Sequence, residues 1–323
     1  AGRRGLVEGK VGQGTYVRRK HAAARQPVPS GLVDMSMNLP PRFDDAGLVS
    51  RMWEGLRELE ISDGLDLLMR YQEAGGARRD REAGALWLSS RLDGVTADRV
   101  LVCPGAQGTL LALTGLLAAP GETICAEALT YPGMRSVAAH LRVNLAAVST
   151  DGEGIIPESF EQACVKAKPK ALYCTPTIQN PTTATLSLAR RHAIVDIARR
   201  YQVPIIEDDA YGALPASPLP PLASLAPDLV YHIAGLAKCL APALRIAYLV
   251  APEGATTSGL NTAIRATASM ASPLTAAIAS RWIEDGTAEA VVAAIRTETA
   301  ARQAIAARIL PCDHIRTDPE GFH

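Results

Sequence analysis

The sequence of 323 residues contains few lysines and no long apolar run. No segment approaches the uninterrupted apolar length of a membrane-spanning helix, so the composition predicts a soluble chain without a membrane partner. No charged segment followed by an apolar one opens the chain, and nothing therefore indicates export. Only six lysines occur, and one of them, Lys238, stands in a run that is otherwise small or apolar up to Arg245.

The sequence also lacks clustered cysteines. The six cysteines are scattered singly, without metal-ligand spacing, at Cys103, Cys125, Cys164, Cys174, Cys239 and Cys312. Most fall within apolar runs, where cysteine behaves as a small hydrophobic core residue. This pattern indicates a reducing, cytoplasmic setting, and we predict no metal site.

The net charge is zero, but the first 25 residues are basic, with seven Lys and Arg residues against the single acid Glu8. Such a segment could contact phosphate groups, or it could be a solvated basic linker, and charge alone favours the linker. The chain begins at Ala1 without Met and ends in "DPEGFH", which is typical neither of a helix end nor of a tail. We therefore expect a fragment of a longer protein.

Beyond Arg99, short β-rich runs alternate with helix-like segments. The runs are "RVLVC", "TICAEA", "ALYCTP", "VPIIEDDA", "LVYHIAG" and "RIAYLVA". This alternation predicts an α/β domain with a mainly parallel sheet covered by helices, in which ligands bind at the carboxyl ends of the strands. From about Ser258 to Leu310 the pattern is almost entirely helical, and an extended linker with prolines enters the domain near Val33.

Lys238 raises a specific question, because a buried ammonium group without a partner is costly or has its pKa lowered. Lys238 could be a structural lysine whose stem packs and whose head reaches water. It could instead be placed there to react. The neighbouring residues alone leave both interpretations open.

Three further stretches follow predicted strands. "CPGAQGTLLAL" opens a helix, so that Gly105, Ala106 and Gln107 would offer free N–H groups to a phosphate, although many such turns bind nothing. Asn180 precedes Pro181 in a loop, which is ordinary turn chemistry when taken alone.

The third stretch, "PIIEDDAYGAL", runs an apolar strand into Glu207, Asp208 and Asp209, followed by Tyr211. These acids could mark a solvated strand end or chelate a metal. One buried carboxylate among them could instead pair with a cationic ring nitrogen.

Taken in order, these motifs resemble the fold-type I enzymes that depend on pyridoxal 5'-phosphate (PLP), the aspartate aminotransferase superfamily. The motifs are Gly105-Ala106-Gln107, Tyr131 in "TYPG", Asn180-Pro181, Asp208-x-x-Tyr211, and Lys238 with Arg245. The resemblance extends from about Met35 to Leu310. It implies a three-layer α/β transferase fold with a mainly parallel seven-stranded sheet, PLP as cofactor, an amino acid or amine as ligand, and a homodimer.

The resemblance also implies a role for each residue. Lys238 would hold PLP as an aldimine and later shuttle a proton, Asp208 would pair with the pyridinium nitrogen, and Tyr211 would hydrogen-bond the phenolic oxygen. An apolar pocket with cationic neighbours would lower the pKa of Lys238. The remaining contacts would come from Asn180 (phenolic oxygen), Tyr131 (ring face), Gly105, Ala106, Gln107 and Arg245 (phosphate), Tyr71 (phosphate of the neighbouring subunit) and Asn38 (substrate entrance).

Two features depart from this family. Relatives carry serines in a Gly-Ser-x-Ser-Lys run, where this chain has Gly235 and Ala237, so two neutral hydrogen bonds worth roughly 0.5–1.5 kcal/mol each are absent. Transaminating relatives bind the substrate carboxylate with an arginine of a small C-terminal domain. Arg316 comes too early to be that residue, and we expect this small domain to be incomplete.

The amino-terminal segment carries a second resemblance. "RRGLVEGKVGQGTYVRR" looks like the last wing of a GntR-type winged helix-turn-helix domain, and "GLVEGKVGQGTYV" alternates and turns as a hairpin does. This plan is similar to that of the MocR family of transcription regulators. The resemblance implies a wing remnant at residues 1–19, a linker at 20–34 and an aminotransferase-like domain at 35–323, whose large part lies at about 70–285. DNA would be bound by a winged helix missing from this sequence.

Three hypotheses for function follow. The first is a PLP-binding domain of a MocR-type regulator that senses PLP or an amino compound through Lys238. The alternative is an active aminotransferase that transfers an amino group between an amino acid and a 2-oxo acid. A third is an α/β domain that has lost PLP and serves only as a dimerisation scaffold.

Overall fold

The computed structural model describes residues 7–10, 14–17, 38–62, 68–311 and 315–323. The chain divides into two compact units, with the boundary between Met37 and Asn38. In the first unit, strands β1 (Val7–Lys10) and β2 (Gly14–Val17) pair antiparallel, with Val7 opposite Val17. The hairpin predicted for this segment is therefore confirmed, whereas the predicted linker at 20–34 lies outside the described residues.

The second unit alternates strands and helices, as the sequence predicts. Its strands are β3 (Val100–Cys103), β4 (Thr123–Glu127), β5 (Asn144–Val148), β6 (Thr150–Asp151), β7 (Gly154–Ile155), β8 (Leu172–Cys174), β9 (Ile205–Asp208), β10 (Val230–Gly235) and β11 (Ala247–Val250). Its helices are α1 (Ala46–Ser62), α2 (Arg78–Leu88), α3 (Gly105–Leu117), α4 (Pro132–Leu141), α5 (Pro157–Ala167), α6 (Leu188–Tyr201), α7 (Leu222–Leu225), α8 (Thr257–Ala268), α9 (Pro273–Glu284) and α10 (Thr287–Ile309).

Seven of these strands form one sheet in the order β3-β11-β10-β9-β8-β4-β5. The pairs among β10, β9, β8, β4 and β5 are parallel, while β11 runs antiparallel to both β10 and β3. The predicted seven-stranded, mainly parallel sheet is confirmed. Strand β5 was not among the predicted runs. It lies at the sheet edge and is largely uncovered, and two of its five residues are alanines, which are not typical of strands.

Helices cover both faces of the sheet, because the central strands are apolar on both sides. On one face Leu110 and Leu113 of α3 pack with Ile206 and Ile233. On the other face, helices α2, α5, α6, α9 and α10 bury a second and larger apolar cluster. The result is the three-layer arrangement that the sequence predicts.

The five described cysteines are all buried in this core, as expected for small hydrophobic residues. Across the described parts of the chain, no helix combines the length and apolar character needed to cross a membrane.

Candidate functional site

The predicted phosphate-binding residues lie together at the first turn of α3. Helix α3 begins at Gly105, directly after β3, and no side chain of the described residues caps this end. The φ of Gly105 is +76°, and a Cβ placed there would lie 3.2 Å from Nη2 of Arg245. The Arg245 guanidinium therefore lies against a helix N-terminus whose free N–H groups and dipole favour an anion.

Strand order explains how Arg245, far along the chain, reaches this turn. Arg245 precedes β11, which pairs with β3, so the start of β11 lies beside the end of β3. Gly235, the last residue of β10, also faces this turn, because a Cβ at Gly235 would lie 3.4 Å from Cβ of Ala106. The family serine that Gly235 replaces would thus be next to the anion site.

Asp208 ends β9 as a buried carboxylate with one unused oxygen. Tyr173 of β8 donates its hydroxyl to Oδ2 at 2.9 Å, while Oδ1 has no hydrogen-bond partner among the described residues. Burial raises the pKa of Asp208 to about 6. A buried acceptor without a donor costs free energy, so this carboxylate is arranged to receive a further donor or cation.

Lys238 lies in the turn after β10, close enough to Asp208 for the two charges to interact. Its Nζ donates to the carbonyl oxygen of Asn38 and lies 6.0 Å from the centroid of the Tyr211 ring. Burial lowers the pKa of Lys238, and the charge of Asp208 partly opposes this shift. Burial, rather than the cationic neighbours expected from the sequence, is therefore the cause of the lowered pKa.

Tyr211 is buried beside these two groups. Its hydroxyl accepts a hydrogen bond of 3.1 Å from Nδ2 of Asn38, and burial raises its pKa to about 12. Asn38, predicted at the substrate entrance, thus contacts both Lys238 and Tyr211 directly. The neutral phenol of Tyr211 can donate a hydrogen bond to an oxygen in the site.

Tyr131 and Gln107 form a second wall of the site. Tyr131 is half-buried at the N-terminus of α4, and burial raises its pKa, with smaller effects from Asp208 and Arg245. Gln107 donates to the carbonyl of Gly133 at 3.1 Å. A Cβ at Gly133 would lie 2.2 Å from Cε1 of Tyr131, so only glycine fits at this position.

Two predicted residues are not joined to this cluster. Asn180 is half-buried before the cis peptide bond to Pro181, and its side chain has no hydrogen bond to another described residue. Tyr71 is 87% exposed and contacts none of the groups above.

The sequence analysis did not identify buried residues that contact the residues of the site. Tyr173 stands within an apolar run, which gave no signal of its contact with Asp208. Gln179 donates to Oε2 of Glu127 at 3.2 Å, and burial raises the pKa of Glu127 to about 8.

His323 was also missed from the sequence, because only the return of the chain after α10 brings it to the site. Its ring centroid lies 4.7 Å from that of Tyr211, and its Nε2 lies 3.2 Å from the carbonyl oxygen of Gln179. The neighbouring Phe322 meets the Tyr211 ring edge-on at 5.7 Å. Tyr211 is thus held on two sides by this segment.

The three acids at the end of β9 do not form a solvated strand end, because all three are buried. Glu207 accepts from the N–H groups of Leu222 and Ala223, and Asp209 pairs with Arg91 at 3.0 Å. The buried His232 lies between the two acids, with Nδ1 2.9 Å from Oε2 of Glu207 and Nε2 3.7 Å from Oδ2 of Asp209. No group of three or more His, Cys, Asp or Glu among the described residues is arranged to hold a metal ion.

Comparisons with known proteins agree with this geometry. The family model for aminotransferase class I and II matches residues 31–312. An uncharacterized HTH-type transcriptional regulator of Bacillus subtilis (strain 168), YdeF, is 30% identical over 94% of this chain and 66% of its own length. The (S)-3,5-dihydroxyphenylglycine transaminase of Amycolatopsis orientalis is 30% identical over 60% of this chain and 45% of its own length. The chain thus spans two thirds or less of these curated relatives.

Among solved structures, LysN, an α-aminoadipate aminotransferase from Thermus thermophilus complexed with N-(5'-phosphopyridoxyl)-L-leucine, superposes with a TM-score of 0.77. The match covers 88% of this chain and 73% of LysN, at 24% identity. At this identity the likeness establishes the fold.

Proposed function

This chain belongs to the aminotransferase class I and II family, and we propose that it is the PLP-binding domain of a MocR-type transcription regulator that responds to PLP or an amino compound. The observation that carries the proposal is the hairpin β1–β2 ahead of an aminotransferase-like unit. An aminotransferase alone has no need of such a hairpin, and an HTH-type regulator matches 94% of the chain. In this proposal residues 1–19 are the wing remnant, 20–34 the linker and 35–323 the PLP-binding domain.

The residues of the site fit PLP. The unpartnered Oδ1 of Asp208 suits a protonated ring nitrogen, and the first turn of α3 with Arg245 suits a phosphate. Lys238 is half-buried with a lowered pKa, which increases the fraction of its amine that can react with an aldehyde near neutral pH. Tyr211 and Asn180 would bind the ring oxygen, and Tyr131 would cover the ring.

When bound, PLP supplies an electron-withdrawing ring that stabilises negative charge at the α-carbon of an amino compound. The chain's own residues prepare this chemistry. Ionised Asp208 would keep the ring nitrogen protonated, Tyr211 would hold its hydroxyl toward the ring oxygen, and the Lys238 amine would accept or return a proton. Asn38 positions both Tyr211 and Lys238 through its amide and its carbonyl.

Borohydride reduction followed by peptide mapping tests the proposed cofactor site. Incubation with PLP and reduction should fix the cofactor on the peptide that contains Lys238, and Lys238→Ala should remove this label. Lys170→Ala, at an exposed lysine paired with Glu122, is the matched control and should keep it. A label distributed over other lysines, or none at all, would refute the site and favour a dimerisation scaffold without PLP.

The alternative function is an active aminotransferase, which the similarity to a transaminase supports. Absorbance changes of the PLP-loaded protein on adding amino acids, with and without a 2-oxo acid, separate the two functions. Multiple turnovers with a 2-oxo acid would favour the enzyme. Slow or single half-reactions, together with amino-compound-dependent DNA binding by the whole protein, would favour the regulator.

The same proposal includes a homodimer, DNA as a partner through a segment outside this sequence, and a cytoplasmic location. Tyr71 supports the dimer, because its exposed side chain is available to a second subunit.

A further inference from the structure

The loop of residues 178–184, which carries Asn180, contains two strained backbone positions. Ile178 and Thr183 are not glycines, yet their φ angles are +48° and +58°. Left-handed backbone is unfavourable for residues with a branched Cβ, and it persists only where surrounding contacts hold it. Because such strain is concentrated at ligand-binding positions, the contacts that hold this loop bear on function.

The side chain of Gln179 supplies many of these contacts. It is 2% exposed, and its amide nitrogen donates to the carbonyl oxygen of Leu129 at 2.6 Å and to Oε2 of Glu127 at 3.2 Å. Its amide oxygen accepts from the N–H of Thr182 at 2.8 Å and from the hydroxyl of Thr182 at 2.6 Å. An amide side chain has two donor hydrogens and two acceptor lone pairs, so that of Gln179 is fully paired.

The main chain of Gln179 closes the loop. Its N–H donates to the carbonyl oxygen of Ala184 at 2.9 Å, and its own carbonyl oxygen accepts from the N–H of Thr183 at 2.6 Å. Nε2 of His323 lies 3.2 Å from the same carbonyl oxygen, and the ring of His323 lies against that of Tyr211. The main chain of Gln179 is therefore connected to the candidate site.

The bond to Glu127 also fixes the loop relative to Asp208. Glu127 is the last residue of β4, and the charge of Asp208 contributes to its raised pKa, after burial, so the two acids lie close enough to interact. A pyridine ring is rigid. The groups that bind its nitrogen and its hydroxyl oxygen must therefore be held at a fixed separation.

We propose that Gln179 is a positioning residue that holds Asn180 against the ring hydroxyl oxygen of a ligand built on the pyridoxal phosphate ring. This inference rests on the function proposed above, in which Asp208 meets the ring nitrogen and Asn180 the phenolic oxygen. The amide of Asn180 is half-buried and forms no hydrogen bond to another described residue, so its position is set by the loop that Gln179 holds. Without the Gln179 side chain, the loop loses four hydrogen bonds and Asn180 is no longer fixed.

Calorimetric titration with two unreactive probes tests this role. The first probe is 4-deoxypyridoxine 5'-phosphate and the second is the same molecule without its ring hydroxyl. Neither has an aldehyde, so neither reacts with Lys238. The wild type should bind the first probe more tightly, and Asn180→Ala should reduce this preference about two- to tenfold, as expected for the loss of one neutral hydrogen bond.

Gln179→Leu, which has a similar size but no polar atoms, should reduce the preference by a similar factor. Adding Asn180→Ala to Gln179→Leu should cause little further loss, because both changes remove the same contact. Thr182→Ala removes one hydrogen bond to Gln179 and should give a smaller reduction, which keeps the test decisive if Gln179→Leu does not fold. Gln162→Leu, at an exposed position of α5, is the control and should keep the wild-type preference.

The preference between the two probes separates a positioning role from a purely structural one. A general loss of structure weakens both probes equally, so an unchanged preference in the folded Gln179→Leu and Thr182→Ala variants would refute this inference and leave the cofactor site intact. If neither probe bound the wild type, the cofactor site itself would be refuted, and this inference with it.

Discussion

At the scale of single residues, burial shifts the pKa values of Asp208 and Lys238 in opposite directions. Within the described parts of the chain, Asp208 is a buried acid without a cation in contact, and Lys238 is a half-buried amine without a carboxylate in contact. Burial raises the pKa of the first and lowers the pKa of the second. Both shifts favour the neutral forms, so a ligand that interacts with the charged form of either group would link its binding to local stability.

Asp208→Asn should stabilise the cofactor-free protein at pH 8. The folded-state pKa of about 6 exceeds the ordinary value of 3.8, so the folded chain binds more protons than the unfolded chain between these values. Stability contributed by Asp208 is therefore present at low pH and lost as the pH rises through about 6. We expect Asp208→Asn to raise the free energy of unfolding at pH 8 by about 1–3 kcal/mol, measured by urea denaturation.

The gain should shrink toward pH 4, where wild-type Asp208 is protonated in the folded chain. Asp196→Asn, at an exposed position of α6, should change the unfolding free energy little at either pH. An equal effect of Asp208→Asn at both pH values would contradict the assigned pKa.

Gly235→Ser should restore one of the missing phosphate contacts. A Cβ at Gly235 meets Ala106 at van der Waals distance, so a serine fits beside the first turn of α3. One neutral hydrogen bond is worth about 0.5–1.5 kcal/mol, which predicts PLP affinity about two- to tenfold higher in fluorescence titrations. Ala234→Ser, on the opposite face of β10, should give no such gain. Weaker PLP binding by Gly235→Ser would argue against a phosphate at this turn.

At the scale of elements, the chain returns to the site after α10. Gln303 of α10 donates to the carbonyl oxygen of Gly321 at 2.6 Å, and this contact sets Phe322 and His323 against Tyr211. Helix α10 and Tyr211 are thus connected through one short segment. A change in the position of α10 would be transmitted to Tyr211.

His323→Ala should loosen the site without unfolding the protein. Loss of the imidazole removes the ring contact with Tyr211 and the hydrogen bond to Gln179, so PLP should dissociate several-fold faster in a stopped-flow chase. Arg316→Ala, at an exposed position of the same segment, is the control and should leave the rate unchanged. Equal rates for both variants would show that the segment does not support the site.

Strands were predicted correctly from the sequence where their apolar pattern matches their burial in the structure. The six apolar runs became strands because both faces of the central sheet are covered, and the hairpin β1–β2 formed as its alternation indicates. Strand β5 was missed because two of its five residues are alanines, which have low β-propensity, and the strand is largely uncovered. Likewise, pattern could not distinguish a solvated acid from the buried Glu207 and Asp209, since their partners come from distant helices and loops.

At the scale of the whole molecule, the sequence motifs converge because parallel strands end at one edge of the sheet. From this rule, the sequence alone predicts that Gly105, Asp208 and Lys238 lie close together, although it gives no information on the loops. It could not find Tyr173 or His323, because a tyrosine inside an apolar strand and a residue after a long helix carry no local signal. The motif residues define the chemistry, and tertiary packing supplies their support.

Subunit mixing tests whether Tyr71 completes the site of a partner subunit. If it does, both Lys238→Ala and Tyr71→Phe homodimers bind PLP poorly, because each lacks a contact in both sites. Mixed dimers should recover one of their two sites, detectable as tight PLP binding at about a quarter of all sites when equal amounts of the two variants exchange at random. Tyr231→Phe, at a half-buried position within β10, is the control and should bind PLP as the wild type does. No recovery on mixing would assign Tyr71 to its own subunit or to the surface.

The antiparallel strand β11 has a consequence for how the polypeptide matures. Strand β3 is the first of the large sheet to be synthesised, and its sheet partner among the described residues is β11, which follows it by more than a hundred residues. The nascent chain therefore exposes β3 and its attached glycine turn until Val250 has left the ribosome, and closure of this long loop is an intrinsically slow step. A translation product that stopped before Ala247 would contain the interior strands but not β11. Strand β3 would then be left unpaired and prone to aggregation.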